Sequence, residues 1–255
     1  MLLVLDAGNT NTVVGIYEKQ ELIGHWRLTS SNRTVDEAGL LLLSLLNTHG
    51  INRVAIGGAI LSSVVPALDE VWRRAIEIYL GKECLRVSSH IKLEMPIEVD
   101  APAEVGADRL VNAVAAMDKY GYPLIAVDLG TAITLDVVSK EGAYLGGVIA
   151  PGLAVSMETL FSRTAKLPQI ALEVPDRVIG KNTREAIQSG ILYGYAGLID
   201  SLVERIFTEM EMRCPVIATG GHAQVMSLLS QTITNVEPWL TLEGLRLLYE
   251  RNRID

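Results

Sequence analysis

The chain has 255 residues, of which 49% are apolar, and it carries a net charge of −8 at neutral pH. This size and composition predict a globular protein with a sizeable core, and the acidic balance argues against binding to nucleic-acid phosphates. The richest apolar run, residues 40–46, is far shorter than the roughly 20 residues that cross a bilayer, and no basic leader precedes the first strand. Cys84 and Cys214 lack the spacing of a metal site, which favours reduced thiols. We therefore expect a cytoplasmic protein that binds neither nucleic acid nor membrane.

The predicted elements of the first half begin with a hairpin. An apolar run at residues 3–5 ends in an Asp-x-Gly turn that starts at Asp6, and a β-branched run follows. A capping-box pattern at Thr34 and Glu37 then predicts a helix that stops at Gly50. Further along, the residue types predict a strand at 53–56, a helix from Pro66, a strand at 84–87 and a helix at 103–120 between the two halves.

The second half opens on a copy of the same hairpin. An apolar run at residues 125–127 ends in Asp128-Leu129-Gly130-Thr131, and a β-branched run follows. Beyond it, the sequence predicts a strand at 144–149, a helix after residue 152, a long helix capped by Asn182, and a strand at 215–218 that ends in Thr219-Gly220-Gly221.

The repeated hairpins and the alternation of strands and helices predict the architecture. Because the copies lie near the start and the midpoint of the chain, we predict two domains of one duplicated α/β design, residues 1–117 and 118–255. No low-complexity linker separates them, so we expect the halves to pack tightly and form a cleft.

Each Asp-x-Gly turn has the parts that nucleotide phosphates need. Its glycine lets the backbone approach an anion closely, and the amide groups that follow can form an anion-binding nest. Asp6 could hold Mg²⁺ through water, because Mg²⁺ keeps several waters and binds one or two carboxylates beside phosphates. The turn at Asp128 offers a second such loop. The alternative is that both are ordinary hairpin turns whose Asp and Gly serve turn geometry, which the duplication makes the less favoured interpretation.

Residues 104–109 place opposite charges at a predicted helix start. A helix N-terminus attracts anions, and Arg109 can make a bidentate contact with a carboxylate. Asp108 could accept a proton from a substrate hydroxyl. Alternatively, Glu104 and Asp108 favour the helix start and Arg109 pairs with one of them. Spacing alone leaves both interpretations open.

The paired loops resemble those of the superfamily of actin, sugar kinases and heat-shock chaperones. A narrower set of motifs resembles the type III pantothenate kinase family along essentially the whole chain. In order, these motifs are Asp6-Ala7-Gly8-Asn9-Thr10-Asn11, Ser62-Ser63-Val64-Val65-Pro66, Glu104-Val105-Gly106-Ala107-Asp108-Arg109, Asp128-Leu129-Gly130-Thr131-Ala132, Gly146-Gly147-Val148-Ile149-Ala150-Pro151-Gly152, Asn182-Thr183 and Ala218-Thr219-Gly220-Gly221. The resemblance implies two actin-like (ribonuclease H-like) domains with an ATP cleft between them.

The resemblance also implies an activity, the transfer of the γ-phosphate of ATP to the primary hydroxyl of pantothenate in the first step of coenzyme A biosynthesis. It implies that Asp108 is the catalytic base and that Arg109 binds the pantothenate carboxylate. Besides Mg²⁺ at Asp6, it implies a monovalent cation, potassium or ammonium, at Asp128.

The remaining contacts that the resemblance implies fall into two sets. ATP would be bound by Asp6, Ala7, Gly8, Asn9, Thr10, Asn11, Thr12, Val13 and Thr131. Pantothenate would be bound by Gly106, Ala107, Asp108, Arg109 and Thr183. The contact from Thr183 is expected across the interface of a homodimer.

Three other functions remain open from the sequence. The least favoured is a structural, filament-forming actin-like protein, which would hydrolyse ATP without needing residues 106–109. A kinase of the same superfamily could act on a sugar or another small acid, although a neutral sugar does not need Arg109. A non-catalytic regulatory accessory factor should have lost a loop or base residue, whereas this chain keeps them. One departure from the family pattern is Val99, at a position where relatives commonly have tyrosine.

Overall fold

The computed structural model of the chain describes residues 1–163 and 170–253. These residues divide into two units, one formed by Met1–Ala115 with the segment from Trp239 and the other by Ala116–Pro238. In each unit, the described strands form a five-stranded mixed sheet. No helix in the described part of the chain combines the length and apolar character needed to cross a bilayer.

In the first unit, the strand order is β3-β2-β1-β4-β5. The central strand, β1, pairs antiparallel with β2 and parallel with β4. The elements are β1 (Leu2–Ala7), β2 (Asn11–Glu18), β3 (Glu21–Thr29), α1 (Val35–Thr48), β4 (Gly58–Ser63), α2 (Pro66–Ala75), which continues as a π-helical turn (Ile76–Leu80), β5 (Cys84–Arg86) and α3 (Ala107–Tyr120), whose last residues belong to the second unit.

In the second unit, the strand order is β10-β9-β6-β7-β8. Its central strand, β6, pairs antiparallel with β7 and parallel with β9. The elements are β6 (Leu124–Leu129), β7 (Ala132–Val138), β8 (Tyr144–Pro151), α4 (Leu153–Ser162), α5 (Thr183–Met210), β9 (Val216–Thr219), α6 (Ala223–Ser227) and β10 (Asn235–Val236). A last helix, α7 (Leu240–Asn252), returns to the first unit.

The two sheets have the same topology. Each has a central strand flanked by an antiparallel meander on one side and two parallel strands on the other. Even the register shift of the outer hairpin recurs, between Ile16 and Tyr17 in the first unit and between Val137 and Val138 in the second. The predicted α/β fold of two duplicated domains is therefore confirmed, and the cleft between them stays a prediction.

Alternation along β1 explains how the first unit buries its core. Leu3, Leu5 and Ala7 lie on one face of the sheet and join the apolar cluster that α1 and α2 cover. The predicted capping box begins α1, because Thr34 Oγ1 accepts a hydrogen bond from Glu37 N at 3.2 Å and Glu37 Oε2 accepts one from Thr34 N at 2.7 Å. Pro66 stands in the first turn of α2, as predicted.

Two local predictions are wrong. Residues 53–56 do not form a strand, because Asn52 Oδ1 accepts a hydrogen bond from Val54 N at 3.0 Å and caps a 3₁₀ turn (Arg53–Ala55), so the strand begins only at Gly58. The helix predicted at 103–120 begins later, at Ala107. A separate 3₁₀ turn (Pro102–Glu104) precedes it, and the extended backbone of Val105 interrupts the helical hydrogen-bond pattern.

The last helix also differs from the sequence assignment. The sequence assigns residues 239–255 to the second domain, whereas the segment from Trp239 belongs to the first unit. The reason is packing: α7 contacts β1, β2 and β4. Glycines on the sheet leave room for its side chains, since a Cβ at Gly15 would lie 2.9 Å from Leu242 Cδ1 and a Cβ at Gly58 would overlap the Tyr249 hydroxyl. The predicted boundary between residues 117 and 118 and the observed one between 115 and 116 both lie within α3.

Candidate functional site

The first Asp-x-Gly loop is the tight turn between β1 and β2. Gly8 N donates a hydrogen bond to Asn11 O at 3.0 Å, which closes the turn. A Cβ at Gly8 would lie 3.1 Å from the same oxygen, so a larger residue would crowd the turn. Asp6 is half-buried at the end of β1, whereas Asn9 and Thr10 are exposed. The loop therefore presents polar side chains and backbone amides beside a carboxylate.

Ser30, just after β3, stabilises the first loop through hydrogen bonds. Its Oγ donates to Gly8 O at 2.6 Å and lies 3.0 Å from Thr12 Oγ1, and its backbone N donates to Thr10 O at 2.9 Å. Thr12 is itself almost fully buried. Sequence reasoning missed Ser30, and its only signal was a polar residue where β3 ends.

The second loop, between β6 and β7, has the corresponding closure. Gly130 N donates to Ala132 O at 3.1 Å, and Gly152 N, at the end of β8, donates to Thr131 O at 3.0 Å. A Cβ at Gly152 would lie 2.3 Å from Gly130 O and 2.4 Å from Thr131 O. The backbone before α4 therefore lies directly against the loop, at a distance that only glycine permits.

Asp128 lies between this loop and the end of β9. A Cβ at Gly220 would lie 2.5 Å from Asp128 Oδ1, and one at Gly130 would lie 3.4 Å from it. Glycine at position 220 thus allows the carboxylate to approach the backbone after β9. This carboxylate and the nearby oxygens of the loop are the hard ligands that a monovalent or divalent cation would use.

The residues of the Gly-Ala-Asp-Arg motif form the start of α3. Asp108 and Arg109 occupy its first turn, and Gly106 O accepts hydrogen bonds from the amides of Arg109 at 3.1 Å and Leu110 at 3.3 Å. Asp108 Oδ1 accepts a hydrogen bond from Arg109 N at 2.8 Å. A Cβ at Gly106 would lie 2.6 Å from this carboxylate oxygen, so glycine leaves room beside the Asp108 carboxylate.

Burial raises the pKa of Asp108 above its ordinary value, and the amide and charge of Arg109 offset only part of this rise. A carboxylate with a raised pKa is a stronger base than a free aspartate while remaining beside a positive guanidinium. This combination suits a group that receives a proton from a hydroxyl held at the helix start.

Thr183 begins α5 and is exposed. Asn182 caps the helix, since its Oδ1 accepts a hydrogen bond from Glu185 N at 2.9 Å. Thr183 lines an open cavity of about 600 Å³ between α4 and α5 that also touches Leu160 and Gly190. This cavity lies within the second unit, and Thr183 is the one predicted substrate residue that lines it.

The structure thus distributes the predicted residues over two units. The first contains Asp6 to Val13 and Gly106 to Arg109, and the second contains Asp128, Thr131 and Thr183. Within residues 1–163 and 170–253, no cluster of three His, Cys, Asp or Glu side chains could hold a metal by itself.

The two cysteines are free and half-buried, as expected for reduced thiols. Burial raises the thiol pKa to about 12 at Cys84 and to about 11 at Cys214. Neither thiol is poised as a nucleophile near neutral pH.

A family model described as type III pantothenate kinase matches residues 2–205. The type III pantothenate kinase of Geobacter sulfurreducens is 50% identical over 254 residues, which cover 99% of this chain and 100% of the relative. The chain belongs to the type III pantothenate kinase family. The enzyme of that name from Koribacter versatilis is 47% identical over 264 residues, with 99% and 96% coverage.

Solved structures of low identity share the fold of this type III pantothenate kinase family member. The activator of 2-hydroxyisocaproyl-CoA dehydratase from Clostridium difficile, solved with bound ADPNP, matches with a TM-score of 0.57 and 13% identity over 97% of this chain and 93% of that one. Component A of (R)-2-hydroxyglutaryl-CoA dehydratase from Acidaminococcus fermentans matches with a TM-score of 0.56 and 13% identity, covering 97% and 96%. At this identity, the likeness concerns the fold alone.

Proposed function

We propose that this protein transfers the γ-phosphate of ATP to the primary hydroxyl of pantothenate and so forms 4'-phosphopantothenate in the first step of coenzyme A biosynthesis. The observation that carries the proposal is identity of about half the residues with type III pantothenate kinases over nearly the full length. The start of α3 supports it, because it joins a half-buried carboxylate, an arginine and a glycine in one turn.

The acceptor would bind at the start of α3. Arg109 is suited to a bidentate contact with the pantothenate carboxylate, and the positive end of the helix adds to the attraction of an anion. Asp108 would orient the hydroxyl and take its proton late, since phosphoryl transfer depends mainly on positioning and charge stabilisation. Gly106 and Ala107 would let the substrate approach the backbone.

The donor would use both Asp-x-Gly loops. The amides and side chains from Asp6 to Val13 would contact the phosphates, and Thr131 would contact ATP from the second loop. The turns need these glycines, because a Cβ at Gly8 or Gly152 would lie within about 3 Å of backbone oxygens. The amides of such turns can form an anion-binding nest.

Two cations complete the proposed site. Asp6 would hold Mg²⁺ through water, and Asp128 would hold a monovalent cation, K⁺ or NH₄⁺. When bound, Mg²⁺ supplies charge neutralisation on the phosphates. The described side chains fit both ions, because each aspartate stands at a strand end next to a loop rich in oxygen ligands.

We further propose that the chain forms a homodimer, in which Thr183 contacts pantothenate bound to the partner. The face of α5 that carries Gly190, Gly194 and Gly197 supports this, because these exposed glycines recur at helical spacing. A Cβ at any of them would meet no atom of the described residues within 4 Å. Each mid-helix glycine costs roughly 0.5–1 kcal/mol relative to alanine. A close approach by a second helix would account for glycine at all three positions.

The central test is a coupled assay of ADP release with Mg·ATP, run with and without pantothenate and in K⁺ or Na⁺ buffer. We expect ADP release that needs pantothenate and is faster in K⁺, with 4'-phosphopantothenate identified by mass spectrometry. ADP release that ignores pantothenate, or phosphorylation of a sugar or another acid at a higher kcat/KM, would refute the assignment of the acceptor.

A further inference from the structure

Ser62, in β4, has a fully buried hydroxyl that finds no partner in the part of the chain that the structure describes. The residue is 0% exposed, and its Oγ makes no hydrogen bond to residues 1–163 or 170–253. The next residue is a contrast, because Ser63 Oγ accepts from Val65 N at 3.2 Å and donates to Val65 O at 3.1 Å. A buried unpaired hydroxyl destabilises a fold, and alanine would occupy the same space without that cost. Folding therefore explains the hydroxyl of Ser63 and does not explain that of Ser62.

The strand register places Ser62 beside Asp6. The two residues are partners in the parallel pairing of β1 with β4. Paired residues on neighbouring strands leave the sheet on the same face, and the strands are about 4.8 Å apart. The opposite face carries Leu5 and Leu61, which belong to the apolar core under α1 and α2. The hydroxyl thus lies on the same side of the sheet as the carboxylate of the first loop.

The second unit repeats this arrangement. Asp128 of β6 is the register partner of Thr219 in the parallel strand β9, and Thr219 is 2% exposed. The Asp128 carboxylate lies close to the end of β9, since a Cβ at Gly220 would lie 2.5 Å from Asp128 Oδ1. A hydroxyl residue beside the loop aspartate is therefore a feature of both copies of the architecture.

We propose that Ser62 is a positioning residue for Mg²⁺, and that its Oγ hydrogen-bonds a water in the shell of the ion that Asp6 holds. The inference rests on the proposed function in taking Mg·ATP as the phosphoryl donor and Asp6 as the residue that holds the ion. Mg²⁺ keeps most of its waters in proteins, so groups that contact those waters orient the ion. Losing such a contact typically weakens metal affinity by about 10- to 100-fold.

The test compares Ser62→Ala with Ser63→Ala. Mn²⁺ serves as the probe, and its binding to the protein with a non-hydrolysable ATP analogue is followed by electron paramagnetic resonance. We expect Ser62→Ala to weaken Mn²⁺ binding at least about 10-fold, to keep its affinity for the analogue in metal-free buffer, and to unfold at the same temperature as the wild type or higher. Ser63→Ala should unfold at a lower temperature and bind Mn²⁺ normally.

Mn²⁺ binding by Ser62→Ala within twofold of the wild type would overturn the inference, as would a loss of thermal stability equal to that of Ser63→Ala. None of these measurements contains pantothenate. The two proposals can therefore fail separately. If the wild type does not phosphorylate pantothenate but Ser62→Ala weakens Mn²⁺ binding, the result contradicts the proposed acceptor and supports the role of Ser62.

Discussion

Substituting Gly220 by alanine tests how the second loop is built. Gly220 follows β9 with a φ of +92°, a conformation that costs a residue with a side chain about 1–2 kcal/mol. The new Cβ would also lie 2.5 Å from Asp128 Oδ1 and 2.7 Å from the backbone C and N of Leu129. Two of these three atoms belong to the backbone, so rotation of a side chain cannot relieve the overlap.

The backbone conformation and the crowding at Gly220 together determine how much stability the variant loses. Crowding of this kind typically costs about 1–3 kcal/mol. Together with the backbone conformation, we expect Gly220→Ala to lower the free energy of unfolding by roughly 2–5 kcal/mol. For a chain of this length, each kcal/mol lowers Tm by about 2–4 °C.

Gly121→Ala is the matched control. Gly121 belongs to the same unit and has a φ of +73°, but a Cβ there would meet no atom within 4 Å among the residues described. This variant should show only the conformational cost of about 1–2 kcal/mol. Both variants are unfolded in urea and by heat, and the rate of the folded enzyme is titrated with K⁺. Gly220→Ala alone should need a higher K⁺ concentration for half-maximal activity, because the crowding displaces the Asp128 carboxylate.

Equal losses of stability in the two variants, within about 0.5 kcal/mol, would refute the packing argument. Unchanged K⁺ dependence in a destabilised Gly220→Ala would refute the assignment of the monovalent cation to Asp128 while leaving the packing argument intact.

Three further predictions concern the other parts of the site. Asp108→Asn should lower kcat by at least about 100-fold in steady-state assays. This variant should also unfold at a higher urea concentration than the wild type at pH 7. Burial raises the pKa of Asp108, so the stability that its protonated form contributes is lost as the pH rises through that pKa. Asparagine cannot ionise and therefore does not lose this stability. Ser30→Ala removes the hydrogen bonds to Gly8 and Thr12, at about 1 kcal/mol each, and should raise the KM for ATP severalfold at an unchanged KM for pantothenate. Gly194→Leu should shift the proposed dimer to monomer in sedimentation velocity, because the side chain would occupy the open surface on which a second helix is proposed to pack.

Each of these variants has an outcome that contradicts its reasoning. A near-normal rate in Asp108→Asn removes this residue from proton transfer, and a stability difference that persists unchanged below pH 4 removes burial of the charge as its cause. A rise in both KM values of Ser30→Ala would indicate a general disturbance of the first unit. A dimer that survives Gly194→Leu places the interface elsewhere.

Local features were predictable because their causes lie within a few residues. The hairpins at Asp6 and Asp128 follow from Asp-x-Gly turns between β-branched runs, and the capping box at Thr34 follows from side chains three residues apart. Prediction failed where local signals compete. Residues 53–56 have the composition of a strand, but the Asn52 cap forms a 3₁₀ turn there, and the strand begins only at Gly58, which pairs with Leu2.

The amino-acid order alone therefore establishes the duplicated α/β design, the two loops and the residues that carry the family resemblance, since these depend on local periodicity and motif order. Only tertiary packing decides the rest. It brings Ser30 behind the first loop, puts Ser62 beside Asp6, buries Asp108 enough to raise its pKa, and returns α7 to the first unit. These relations join residues that are far apart in the chain, and their strength depends on burial and register, which no short stretch of sequence contains.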